Sequence, residues 1–169
     1  MRFASYFKVT LPSAIFGFLA LGLAPTSAFA TTQTTTMGVG ASVTAVCSIS
    51  ASALSFGSYT GTLLDGSTTL SVTCTDDAPY TIGLDAGTGT GATVTARTMT
   101  GANHHGTLNY ALFTDSGYTL NWDDIGGANV YSGTGSGTAQ TVTVYAQIAA
   151  TQNVPVDTYS DTITATVSY

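Results

Sequence analysis

Glutamate is missing from this 169-residue chain, lysine occurs once, and three basic residues face nine acidic ones, all of them aspartate. The charged residues that favour helix are therefore almost absent, while Thr, Val, Tyr, Gly and Ser abound, which is the composition of an all-β protein. A net charge of −6 with so few cations excludes the basic surface that nucleic acid or an anionic membrane would need. Catalytic signatures are lacking too: there is no Gly-x-Ser-x-Gly elbow, no phosphate loop and no cysteine in the setting of a nucleophile. The one long apolar run, Ile15 to Ala24, is too short for a transmembrane helix and is closed by Pro25.

That run has a different reading. Arg2 and Lys8 precede it and Ala28-Phe29-Ala30 follows it, the three-part pattern of a secretory signal peptide over residues 1–30. Removing it leaves 139 residues, one domain's worth. One basic residue then stands against nine acidic ones, a charge of −8. In an exported chain an isolated pair of cysteines, Cys47 and Cys74, is expected to form a disulfide, because a metal site needs more ligands nearby than this pair offers.

Period-two segments punctuated by turn residues recur through the rest. Leu70, Val72 and Cys74 alternate with polar residues; after a turn at Asp76-Asp77-Ala78-Pro79, Tyr80, Ile82 and Leu84 do the same. Thr93 to Met99, Thr107 to Phe113 and Thr141 to Ile148 are further candidates, the last two with Leu108, Tyr110, Leu112 and Val142, Val144, Ala146, Ile148 inward. Tyr118 to Trp122 is a short candidate, and Gly126-Gly127 and Gly133 to Gly137 read as loops. The final residues alternate from Tyr159 to Tyr169, with Asp161 alone breaking the apolar row, and are expected to form one closing strand with nothing after it to cover its neighbours. Some seven short strands without helical period indicate an antiparallel β-sandwich of immunoglobulin-like architecture.

A second alternating row precedes Cys47. Met37, Val39, Ala41, Val43 and Ala45 occupy odd positions, with Gly38, Gly40, Ser42 and Thr44 between them, behind a polar lead from Thr31 to Thr36. At about 3.3 Å per residue such a row runs the length of a sandwich.

Sites for chemistry are sparse. His104 and His105 are adjacent and would point to opposite faces of a strand, with no third ligand near. Asp76-Asp77 and Asp123-Asp124 could pair as carboxylates or hold Ca²⁺, but turn and cap roles suffice for them. Trp122 with Tyr110, Tyr118 and Tyr131 could form a sugar-binding surface; core packing is the simpler use. No metal and no cofactor is expected, and catalysis is unsupported.

Taken in order, several pieces resemble the spore coat U domain family, which includes archaic chaperone–usher pilins of the Csu type. They are Cys47, the run Leu54 to Tyr59, Val72-Thr73-Cys74, Ala78 to Ile82, Arg97-Thr98-Met99, Leu108 to Asp115, Trp122 and Asp157 to Ile163. The resemblance implies an incomplete immunoglobulin-like antiparallel β-sandwich over residues 44–169, completed by a donated strand. It implies that residues 31–43 are a donor-strand extension, with Met37, Val39, Ala41 and Val43 as its knobs. Ile163, Ala165, Val167 and Tyr169 would help line the groove that receives such a strand. It further implies neighbouring pilin subunits, a periplasmic chaperone and an outer-membrane usher as partners. The expected product is a secreted surface filament for adhesion or biofilm formation. A secreted coat protein and a stand-alone lectin-like module are the alternatives.

Overall fold

The computed structural model describes residues 28–169. The expected signal peptide lies outside the described residues except for Ala28-Phe29-Ala30. The chain divides into two units after Gly40. Residues 28–40 carry no helix or strand, and Phe29, Met37 and Val39 are all exposed.

The second unit, residues 41–169, holds nine strands and no helix: β1 (Cys47–Ala51), β2 (Leu64–Cys74), β3 (Pro79–Leu84), β4 (Arg97–Gly101), β5 (Thr107–Phe113), β6 (Tyr131–Thr134), β7 (Gln140–Ile148), β8 (Tyr159–Ser160) and β9 (Ala165–Ser168). They form a six-stranded sheet in the order β1-β2-β7-β5-β4-β8 and a three-stranded sheet in the order β6-β3-β9. Every pairing is antiparallel. The inward rows expected from period two pack the space between the sheets: Leu70, Val72 and Cys74 from β2, Tyr80, Ile82 and Leu84 from β3, Leu108, Tyr110 and Leu112 from β5, and Val142, Val144, Ala146 and Ile148 from β7 are all buried. A one-residue slip would turn each row outward, so burial also sets the register. Cys47 and Cys74 are cross-strand partners in β1 and β2 and are joined as a disulfide.

Two buried polar side chains organise the middle. Trp122, fully buried, donates its Nε1–H to the Ile82 carbonyl at 2.8 Å, so it is a core anchor with no surface to offer a sugar. Arg97, also fully buried, donates to four main-chain carbonyls: Asp85 (2.8 Å), Val94 (2.6 Å), Leu84 (2.8 Å) and Trp122 (2.8 Å). Burial pushes the Arg97 pKa down. The fan of carbonyls satisfies the donors that burial would otherwise strand.

Some elements differ from the sequence expectation. The strand expected over Thr93 to Met99 is shifted to Arg97–Gly101, and Tyr118 to Trp122 contributes one isolated bridge, Phe113 to Asn121, in place of a strand. Tyr131–Thr134 forms β6 where glycine pointed to a loop; Gly133 sits there because a Cβ would press 2.5 Å from the Tyr80 ring. The single closing strand over 159–169 is two pieces: Tyr159–Ser160 pairs with β4 in one sheet, and Ala165–Ser168 pairs with β3 in the other.

Candidate functional site

That split leaves a gap between the sheets. β1 and β9 are edge strands of different sheets. Beyond β1 the chain stays on β2 through Ser52, with Ser52 N donating to the Thr69 carbonyl and Thr68 Oγ1 to the Ser52 carbonyl, both at 2.9 Å. It then leaves as a flank carrying half-buried Leu54, Phe56 and Tyr59 at spaced positions. Phe56 packs over residue 66, where glycine leaves room for it; a Cβ there would approach the ring to 3.0 Å. Opposite stands the segment from Tyr159 to Ala165. Between the two is an apolar cleft of about 410 Å³, floored by core residues Leu70, Leu84, Leu112 and Val144. A second hollow of about 540 Å³ shares Leu54, Phe56, Met99 and Tyr159 with it and reaches Leu108, Ile148 and Val154. The two hollows adjoin at these shared side chains, and together they are termed the groove.

Within that groove the structure distributes the expected residues unevenly. Ile163 and Ala165 line it. Val167 packs against the core as the cross-strand partner of Ile82, away from the groove lining. Tyr169 is 59% exposed and does not line it either. Met37, Val39, Ala41 and Val43 are exposed and belong to no strand. The opposite wall, Leu54 and Phe56, and the contributions of Met99, Tyr110 and Tyr159 lie outside the groove row expected from the sequence. The alternation of Leu54 and Phe56 with serines was the available signal; its side of the sandwich was not.

One polar node interrupts the apolar lining. The Asp161 carboxylate accepts the Tyr110 hydroxyl at 2.8 Å, the Thr88 N–H at 2.8 Å and the Thr88 hydroxyl at 2.9 Å. Burial first, and then this bond, raise the Tyr110 pKa far above the ordinary tyrosine value. The Tyr110 ring meets Phe56 edge-on at 6.2 Å, so the node ties one wall of the groove to the other.

The remaining candidates have local roles. Asp157 accepts the main-chain N–H groups of Asn103 (2.8 Å), His104 (2.7 Å) and Thr158 (2.8 Å), and the Asn103 side chain at 2.8 Å. These bonds, that from His104 foremost, hold its carboxyl well below the usual carboxylate range. His104 Nδ1 lies 3.5 Å from the same carboxylate, and His104 and His105 are exposed in this loop. Asp123 accepts the Asn129 N–H and Asp124 the Ile125 N–H, which are turn duties. Among the described residues no group of three or more His, Cys, Asp or Glu is placed to hold a metal ion.

What the geometry offers is main-chain pairing. An extended segment laid in the groove meets an unpaired strand edge and an apolar floor, the two ingredients of β-strand addition. Comparison with known proteins agrees with this architecture. The family model described as Spore Coat Protein U domain matches residues 33–166. "Protein U" of Myxococcus xanthus is 34% identical over 156 residues, covering 83% of this chain and 87% of that protein. In the crystal structure of the CsuC–CsuE chaperone–tip adhesion subunit pre-assembly complex from archaic chaperone–usher Csu pili of Acinetobacter baumannii, one chain superposes with a TM-score of 0.56 at 24% identity. The likeness covers 75% of this chain but only 40% of the solved one, so it speaks for the fold alone.

Proposed function

This chain belongs to the Spore Coat Protein U domain family, and we propose that within it the chain is a structural subunit of a secreted surface filament of the chaperone–usher kind, with no enzymatic role. The observation that carries this reading is the apolar groove between the edges of two sheets, in a chain that also carries an exposed row of alternating apolar residues. In the proposal, Met37, Val39, Ala41 and Val43 of one copy enter the groove of the next. Their main chain extends the free sheet edge, and their side chains fill the hollows along the floor. Burying each of the larger knobs contributes on the order of 1–2 kcal/mol. Residues 31–43 are the donor extension in this reading, and residues 1–30 a signal that directs export.

Such a contact is head-to-tail: the surface that gives differs from the surface that receives. Heterologous contacts that do not close generate filaments. Before assembly an open apolar groove is an aggregation hazard, and a periplasmic chaperone supplies the temporary cover in this proposal. An outer-membrane usher is the place of exchange, and the cell surface the destination, with adhesion or biofilm formation as the output. The protein with the superposable chain is described as part of a chaperone–tip adhesion subunit pre-assembly complex from chaperone–usher pili; the partners named here are proposed for this chain by analogy with that description.

Val39→Asp places a charge among the knobs. The expected outcome is loss of surface filaments by electron microscopy while the purified subunit remains folded. Filaments of normal length and stability from this variant would overturn the donor register.

A further inference from the structure

The period-two row from Tyr159 to Tyr169 favours one uninterrupted strand, yet the chain leaves one sheet and joins the other between residues 161 and 164. We propose that Asp161 is the positioning residue that makes this switch and thereby keeps the groove open. Its connection to strand capture rests on the reading above; its effect on the strand path does not.

Two registers compete for the segment. Ser160 sits opposite Thr100 on β4; continued, that ladder would put Asp161 opposite Met99 and Ile163 opposite Arg97. Ala165 sits opposite Leu84 on β3, in the other sheet. At the point of divergence Asp161 Oδ1 accepts three donors, Thr88 N–H (2.8 Å), Thr88 Oγ1–H (2.9 Å) and its neighbour Thr162 N–H (2.7 Å), while Oδ2 accepts the Tyr110 hydroxyl at 2.8 Å. The Thr162 N–H, which a β ladder would have to use, is thus consumed locally, as Asp does when it competes with secondary structure. The loop after β3 is shaped to receive the carboxylate: Gly87 has φ +83°, and a Cβ there would collide with Asp161. A second carboxylate catches the chain on the far side, where Asp85 Oδ1 accepts Thr164 N–H at 2.9 Å and Asp85 N–H donates to the Thr164 carbonyl at 3.1 Å.

An apolar residue at position 161 removes all four bonds at that carboxylate and completes the apolar row. Only the Asp85 contacts to Thr164 and the β9 ladder to β3 then hold the segment off β4, and zipping along β4 as far as Ile163 would move that side chain and close the groove from within.

The test uses the full mature chain with Asp161→Val, Asp161→Asn and Tyr110→Phe, read two ways: by NMR cross-strand contacts of residues 160–165, and by affinity for a synthetic peptide of residues 31–45. Asp161→Val should show new contacts between Ile163 and Arg97 and bind the peptide at least tenfold more weakly. Asp161→Asn keeps an acceptor for the Thr88 and Thr162 amides and should retain the native contacts, with affinity within about threefold. Native contacts together with native affinity in Asp161→Val overturn the proposal. A rearranged Asp161→Val beside a parent chain that binds no peptide sustains the strand switch and overturns the donated-strand reading instead. Should Asp161→Val fail to fold, Tyr110→Phe removes one bond at the same carboxylate with the ring kept. Its Thr162 amide should exchange hydrogen several-fold faster, and unchanged exchange counts against the role of Asp161.

Discussion

Two segments of this chain carry the same sequence signature and meet opposite fates. Met37 to Ala45 and Tyr159 to Tyr169 both alternate apolar and small polar residues. The second is half-buried along its apolar row from Tyr159 to Val167, pairs with strands in both sheets and packs on the core. In the first, Met37 is 84% exposed, Val39 87% and Val43 85%, and no residue lies in a strand. Period two therefore reports the capacity to lie on a pleated, half-buried surface, not the presence of one. An edge and an apolar floor must be supplied, and β3 and β4 supply them to the second segment alone.

The largest expected effect moves the boundary between the two kinds of segment. Cys47 opens β1 where the exposed row ends, and its disulfide to Cys74 closes a separation of 27 residues. Replacing both with serine should lower the unfolding free energy in urea by about 3–4 kcal/mol on the chain-entropy account. An undiminished value would mean that β1 holds to β2 by its ladder alone. A smaller effect compares matched charges in the two rows. Ile163→Asp puts a carboxylate against the core and should cost roughly 2 kcal/mol, whereas Val39→Asp should leave the isolated subunit within about 0.5 kcal/mol of the parent. Equal losses from the two would erase the distinction.

The smallest effect is on pH dependence. The exposed row has no titratable side chain, while the approach to the terminal row is fixed by Asp157, whose carboxyl is held low by its N–H donors. A depressed folded-state pKa contributes stability that is present above the unfolded value near 4 and is lost as pH falls through the folded value. Asp157→Asn should therefore be less stable than the parent at neutral pH, with the gap in thermal midpoint narrowing on acidification below about pH 4. A gap that is constant with pH would assign the loss to packing.

Much of the architecture was legible because it is local. Leu70-Val72-Cys74 and Val142 to Ile148 declare their inward faces by spacing, and all are buried. Val167 and Tyr169 show where such reading stops: they extend the same row as Ile163 and Ala165, yet Val167 sits opposite Ile82 and packs on the core, and Tyr169 is exposed, so neither joins Ile163 and Ala165 in the lining of the cleft. Leu54 and Phe56 show the converse. Their side chains alternate plainly, but which wall they form depends on β2 ending its cover after Ser52 and on Gly66 making room for the ring.

By itself the sequence determined an all-β chain, the inward rows of its long strands and the pairing of its two cysteines, because composition and period two act over a few residues at a time. Only the tertiary structure decided that Arg97 is buried against four carbonyls, that Tyr131–Thr134 is a strand, and that the last apolar row breaks at Asp161 and leaves a groove. Those outcomes depend on partners far away in sequence, and a row of alternating residues carries no record of which edge will be left for it.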